Sequence, residues 1–294
     1  MALSGLCSGR IDFTVKIIDA HVHFSRIASF EDFALHTSLV DYSMQGYLSE
    51  TDCVQVVKSV CMGLVENSSG SFPDTGAPMP MTTDLGAGMP EGMYLCLGIN
   101  PFSLTKRSLA ETEDMIKNNP RVVGMKIYAG YYHMDITDPV YDAVYDLAER
   151  YDKTITIHTG DTFSNRALVK YAHPLRVDDL AVARPDLRIV ACHMGTPWVF
   201  DACQVAVKNP NVYIDTSALL VGSAQQIAGV LEIPMLTDRY RQALAFLNNY
   251  DKVIYGTDWP LAPMGAYLDF CKKLIPVEAH EKVFFNNAVK VYGL

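Results

Sequence analysis

Eight short apolar runs, each rich in β-branched residues, recur along the chain: VKIIDAHVHF (15 to 24), CVQVVKSVCMGLV (53 to 65), MYLCLGIN (93 to 100), RVVGMKIYAG (121 to 130), KTITIHTGD (153 to 161), LRIVACHMG (187 to 195), NVYIDTSA (211 to 218) and KVIYGTDWP (252 to 260). Their near-continuous hydrophobicity is what strands covered on both faces require, the signature of a parallel sheet. Between them the apolar positions fall at helical spacing. SLAETEDMIKNN (108 to 119) opens with Ser108 and Glu111 at capping-box spacing, and DPVYDAVYDLAERY (138 to 151) has Asp138 as its cap and Pro139 in its first turn. The segments 177 to 185, 198 to 209, 236 to 249 and 264 to 274 read the same way. This alternation predicts an α/β fold, a (β/α)8 TIM barrel forming a single domain over residues 1 to 294. Residues 66 to 92, rich in Gly, Pro and Ser, break the rhythm and predict an irregular loop. Because it follows strand 2, it leaves the barrel at the C-terminal mouth, where barrel active sites lie, either as a substrate-facing lid or as a flexible insertion.

The polar residues that interrupt these runs fall at their C-terminal ends. His21 and His23 end strand 1, Lys126 lies on strand 4, and His158, His193 and Asp258 end strands 5, 6 and 8. Residues i and i+2 of a strand point the same way, so His21 and His23 aim at one point. All six side chains are predicted to converge on one mouth. Three histidines and a carboxylate suit a divalent cation, zinc first, with manganese or iron as alternatives and a second metal left open. A catalytic site of this kind keeps a position open for water, and His193 and Asp258 are the candidates to take the proton from it.

Composition narrows the partners. The chain is 49% hydrophobic and 19% charged with a net charge of −9, and its acidic residues are dispersed, which argues against nucleic acid or an anionic membrane. No run approaches the length of a membrane span, and MALSGLCSGRIDF lacks the basic-then-apolar order of a secretory leader. The seven cysteines (Cys7, Cys53, Cys61, Cys96, Cys192, Cys203, Cys271) include no C-x-x-C pair and lie mostly in apolar runs, as buried reduced thiols of a cytoplasmic protein would. Cys192, next to His193, is expected to face the opposite side of its strand, into the core.

IDAHVHF, GMKIYAG, ITIHTGD, IVACHMG and YGTDWP, in that order, resemble the amidohydrolase superfamily. The closer resemblance is to its branch of amidohydrolase-related hydrolases and aminocarboxymuconate-semialdehyde decarboxylase. The closing FFNNAVKVYGL is similar to that family's final helix. The resemblance implies one divalent metal held by His21, His23, His158 and Asp258, with His193 as the catalytic histidine. It implies for Lys126 either a carbamylated, metal-bridging role, as in binuclear relatives, or a contact with a substrate carboxylate.

Other residues near the mouth are candidates for substrate contact: Tyr128, Tyr131, Tyr132 and His133 after strand 4, Arg166 and His173 after strand 5, and Trp259 beside Asp258. Asp215 reads as a hydrogen-bonded structural carboxylate, and His36 and His280 as surface residues on helices. The leading expectation is a metal-dependent hydrolase of a small ester, lactone or amide. The alternative is a non-oxidative decarboxylase of a small unsaturated or aromatic carboxylic acid, on the same site. A barrel phosphoesterase would recruit extra carboxylates, where this chain has Lys126, and a non-catalytic scaffold would have lost ligands that are all present here. The expected partner is a small carboxylic acid derivative, and the expected assembly a homodimer.

Overall fold

The computed structural model describes residues 16–294. Eight strands pair in parallel in chain order: β1 (Ile17–Val22), β2 (Val56–Met62), β3 (Met93–Ile99), β4 (Val122–Ile127), β5 (Thr154–Ile157), β6 (Ile189–Ala191), β7 (Val212–Asp215) and β8 (Val253–Ile254). β8 is only two residues long, yet the ring is drawn together by the chain that follows it. Ala20 N donates to Tyr255 O (3.0 Å), Asp258 N to His21 O (2.8 Å) and His23 N to Trp259 O (2.7 Å). The hydrogen bonds that bring the last strand to the first therefore also carry Asp258 to the histidines of β1.

Among the described residues ten α-helices surround or cap the ring: α1 (Ala28–Phe33), α2 (Met44–Val54), α3 (Lys106–Asn118), α4 (Asp142–Arg150), α5 (Leu175–Ala183), α6 (Val199–Lys208), α7 (Ala224–Leu231), α8 (Pro234–Leu247), α9 (Met264–Leu274) and α10 (Asn287–Tyr292). Of these, α1, α2 and α7 were not legible as periodic segments. The apolar run at 53 to 65 divides, because Cys53 and Val54 finish α2 and Gln55 stops it in the left-handed region (φ 60°). The cap of α3 lies one turn earlier than its sequence suggests: Thr105 and Ser108 bond reciprocally, while Glu111 pairs with Arg107 at 2.8 Å. Asp138 caps as expected, accepting from Val140 N (2.9 Å) in the short turn that leads into α4.

Alternation along the strands builds two cores. Cys61, Leu97, Ala191 and Ile214 face the helices, whereas Val60, Cys96, Val190 and Tyr213 join Ala288, Val291 and Tyr292 of α10. α10 thus closes the N-terminal end of the barrel: Thr154 Oγ1 donates to Val291 O (2.5 Å), and the Thr156 and Tyr292 hydroxyls lie 3.0 Å apart. At the opposite end, the loop after β2 is ordered by specific bonds. Glu66 accepts from Ala28 N (2.7 Å) and Phe72 N (3.1 Å), and Asn100 Nδ2 donates to Ala77 O (2.7 Å). Residue 98 must be glycine where this loop pairs with β3, since a Cβ there would lie 2.1 Å from Gly63 O.

Cys61, Cys96, Cys192, Cys203 and Cys271 are buried free thiols, as expected, whereas Cys53 is disulfide-bonded. Cys7 and the MALSGLCSGRIDF segment lie outside the described residues. Among the described residues no helix is long and apolar enough to cross a membrane.

Tyr292→Ala should empty the buried end of the barrel and cost about 3 kcal/mol or more of unfolding free energy, by analogy with other large aromatic deletions. Urea denaturation would show it, and Tyr292→Phe, which keeps the ring and loses only one hydroxyl contact, should cost roughly 1 kcal/mol.

Candidate metal centre

The mouth is built from strand ends whose regular pattern gives way at the residues that matter. β1 slips register between Asp19 and Val22. Asp19 is anchored to the chain after β8, accepting from Thr257 Oγ1 (2.6 Å) and Thr257 N (3.0 Å), and burial pushes its carboxyl up to about 7. The His21 and His23 rings then lie side by side, centroids 5.6 Å apart. Asp258, in the left-handed region at φ 66°, places Oδ1 3.3 Å from His21 Nε2 and 3.1 Å from His23 Nε2. That oxygen is buried without a hydrogen-bond donor.

Asp215 fixes the ring of His21. Its Oδ2 lies 2.8 Å from His21 Nδ1, while Oδ1 accepts from Ser217 Oγ (2.5 Å), His193 N (2.8 Å) and Ser217 N (3.1 Å). A carboxylate on Nδ1 leaves the Nε2 lone pair free, the usual preparation of a metal-binding histidine. Asp215 is therefore the structural carboxylate expected, and its structural task is to orient histidines.

β6 ends at Ala191, and the backbone enters the left-handed region at His193 (φ 60°) and Met194 (φ 44°). The turn breaks strand alternation, so Cys192 does not face away from His193. Lys126 Nζ donates to Cys192 Sγ (3.0 Å), and Cys192 and His193 stand close enough to His21 to form a second metal-capable group. Cys192 is buried as expected, but it faces the histidines rather than away from them. His158 Nε2 donates to Asp161 O (2.8 Å), and its Nδ1 faces His193 Nε2 at 3.1 Å. His158 thus lines the same cavity as His23 and Asp258 but stands outside the tight cluster of His21, His23 and Asp258.

Protonation follows from burial. Desolvation pushes His21, His158 and His193 below the ordinary imidazole range, His193 to about 4. For Asp258 and Asp215, burial would raise the pKa, but neighbouring imidazoles reverse this and hold both well below the usual carboxylate range. Neutral imidazoles beside ionised carboxylates are the forms in which these side chains bind a cation. The orphaned Asp258 oxygen between two Nε2 atoms shows that the residues present fit a divalent ion.

A small cavity opens beside this cluster. Lys126, His158, His193, Asp258 and His23 line one part of it, and Phe30, Phe72, Tyr131, Phe163 and Leu261 another. Tyr128 also lines it, with its hydroxyl bound to Gly63 O (2.7 Å), and the Tyr131 ring lies 4.8 Å from that of His158. Three other candidates stand elsewhere. Trp259 is buried in the core, its ring packed against Tyr42 and Tyr47, and it donates Nε1–H to Glu50 Oε1 (3.1 Å). Arg166 is exposed and donates to Ser71 O (2.8 Å) and Phe72 O, tying two loops together. The ring of His173 packs 4.7 Å from Trp198. Tyr132 is buried against Met81, and His133 donates to Arg166 O (2.8 Å). His36 is an exposed helical residue, and His280 is half-buried and bonded to Ile275 O (3.0 Å). The only sequence signal for Ser217 is its i+2 spacing from Asp215.

A profile of the family described as Amidohydrolase matches residues 99–294, more than half of the chain. The chain belongs to the amidohydrolase family. No curated protein matches it. Among solved structures, an uncharacterised TIM-barrel protein from Bordetella bronchiseptica superposes with a TM-score of 0.70 at 21% identity, covering 95% of this chain and 99% of that one. A probable 2-pyrone-4,6-dicarboxylic acid hydrolase from Acinetobacter baumannii, with citric acid bound, gives 0.62 at 14% identity over 95% of this chain and 100% of that one. The 5-carboxyvanillate decarboxylase of Novosphingobium aromaticivorans, complexed with manganese and 4-hydroxy-3-methoxy-5-nitrobenzoic acid, gives 0.60 at 12% identity over 96% and 97%. At these identities the likeness establishes the barrel fold. Within the amidohydrolase family, the cluster of His21, His23 and Asp258 is this chain's candidate metal seat.

Asp215→Asn should weaken divalent-ion affinity by about 10- to 100-fold, because His21 loses the carboxylate that fixes its ring. Titration with Mn²⁺ or Zn²⁺ beside a circular dichroism spectrum would separate this from unfolding. Since His21 titrates below 6.5 in the folded chain, protons compete for it only in more acidic solution, and half-loading with the ion should fall below pH 6.5. Equilibrium dialysis across pH measures the midpoint.

Proposed function

We propose that this chain is a non-oxidative decarboxylase of a small unsaturated or aromatic carboxylic acid, working with one divalent cation held by His21, His23 and Asp258 together with His158. The observation that carries the reading is Lys126. Its side chain is 1% exposed, it lines the cavity, and among the described residues it forms no ion pair with a carboxylate. A buried amine without a partner acid is suited to receive a ligand carboxylate. The aromatic wall of Phe30, Phe72, Tyr131 and Phe163 suits a flat, unsaturated body for that acid.

When bound, a divalent cation supplies positive charge that fixes and polarises a substrate oxygen. Lys126 binds and orients the acid. The bond from the unsaturated carbon to the carboxyl carbon breaks, carbon dioxide leaves, and the electron pair left on carbon is taken by a proton. His193, linked to His158 through Nε2 and to Ser217 through Nδ1 (2.7 Å), is placed to pass that proton inward. The decarboxylase of this fold that binds a nitrobenzoic acid and manganese supports the substrate class and the cation.

A hydrolase of a carboxylated lactone is the second reading. It is favoured by the same two neutral imidazoles, which can accept a proton from water, and by the pyrone dicarboxylic acid hydrolase among the similar structures.

Carbon dioxide release from a panel of aromatic and dienoic acids, run beside a lactone and ester panel, distinguishes the two. Release from at least one acid is expected; turnover confined to lactones or esters would replace this reading with the second. His158→Ala and Asp258→Asn should each lose bound metal and lower turnover by about 10²-fold or more while the barrel stays folded. Activity surviving metal removal in either variant contradicts the mechanism.

A further inference from the structure

Two metal-capable groups in the mouth share one histidine. His21, His23 and Asp258 form one, and His21, Cys192 and His193 form the other, all buried. Their donor chemistry differs. The first offers imidazole and carboxylate, which suits hard and borderline divalent ions; the second adds a thiol, which suits thiophilic ions such as zinc or cadmium. Because Asp215 occupies His21 Nδ1 at 2.8 Å, only Nε2 is available, and a single lone pair serves a single cation. The two groups are therefore alternative seats for one ion.

Lys126 lies where that choice is made. Its Nζ is 3.0 Å from Cys192 Sγ and 3.5 Å from His21 Nε2, two of the three donor residues of the thiol seat. We propose that Lys126 is the metal-selecting residue of this site: its amine fills the His21–Cys192–His193 seat, so that a single ion is confined to the His21–His23–Asp258 seat and thiophilic ions lose their advantage. The amine has three N–H donors, so its bond to Cys192 leaves donors for a ligand carboxylate, and the 3.5 Å separation from His21 leaves the Nε2 lone pair to the ion. The inference rests on the metal seat proposed above.

The test loads the purified protein with Co²⁺ and reads its absorption spectrum. Wild type should bind one ion per chain without a thiolate-to-cobalt charge-transfer band, and Cys192→Ser in the wild-type background should change neither spectrum nor affinity. Lys126→Met should still bind one ion, gain the charge-transfer band, and shift relative affinity toward Cd²⁺ over Mn²⁺ by about tenfold or more. The Lys126→Met, Cys192→Ser double variant should lose both the band and the shift. A charge-transfer band in wild type, weaker binding in Cys192→Ser, two ions in Lys126→Met, or a folded Lys126→Met with the wild-type spectrum and preference would each overturn the proposal. Should Lys126→Met fail to fold, the wild-type spectrum and the Cys192→Ser titration decide it. No bound ion in wild type would instead refute the underlying metal seat, a result distinguishable from all of these.

Discussion

A carboxylate sealed inside a barrel costs several kcal/mol unless its lone pairs are used, and Asp215, at 1% exposure, uses both oxygens. One oxygen faces His21; the other gathers the Ser217 hydroxyl and the main-chain amides of His193 and Ser217. The same residue therefore orients the His21 ring, holds the turn that presents His193, and positions Ser217 between the two imidazoles. Each of these groups comes from a different strand end, so the geometry of the mouth depends on β1, β6 and β7 staying in register. The parallel ring supplies that register, and the bonds from Tyr255, Asp258 and Trp259 to β1 complete it.

The cost of this arrangement appears in the backbone. His193, Met194 and Asp258 all occupy the left-handed region, which is strained for residues with a Cβ by about 1–3 kcal/mol each. Such conformations persist only where the surroundings over-determine them. At His193 the surroundings are Asp215 and Ser217, and at Asp258 they are the main chain of His21 and the Thr257 bonds to Asp19. Strain at these positions turns two side chains inward that a straight strand would have pointed elsewhere.

That is also where reading from sequence succeeds and fails. The barrel was legible because eight apolar runs alternate with helical periodicity, and His21 and His23 were legible because strand alternation holds between them. Lys126, His158, His193 and Asp258 were legible as polar residues near the ends of apolar runs. Cys192 and Trp259 were not, since each adjoins a left-handed residue and strand alternation no longer predicts its direction. Arg166 was drawn to the mouth by its place after β5, but its partners Gly70, Ser71 and Phe72 lie far off in sequence. Phe30 and Phe72 left no periodic signal at all, since they reach the cavity from a short helix and an irregular loop.

The aromatic wall joins the electrostatics to the chemistry. Phe30, Phe72 and Phe163 come from the segments after β1, β2 and β5, and these are tied together by Glu66 to Ala28 and Phe72, by Arg166 to Phe72, and by Phe163 N to the Tyr131 hydroxyl at 2.8 Å. Their rings cover the mouth, leaving His23, His158, His193 and Asp258 each 5–6% exposed. The burial that depresses the imidazole pKa values also lowers the local dielectric, which strengthens the pull of Lys126 and of a bound cation on any carboxylate that enters. Water would weaken that pull and compete for the cation. A wall that excludes solvent therefore makes the same few polar groups better ligands for a metal and stronger anchors for an acid.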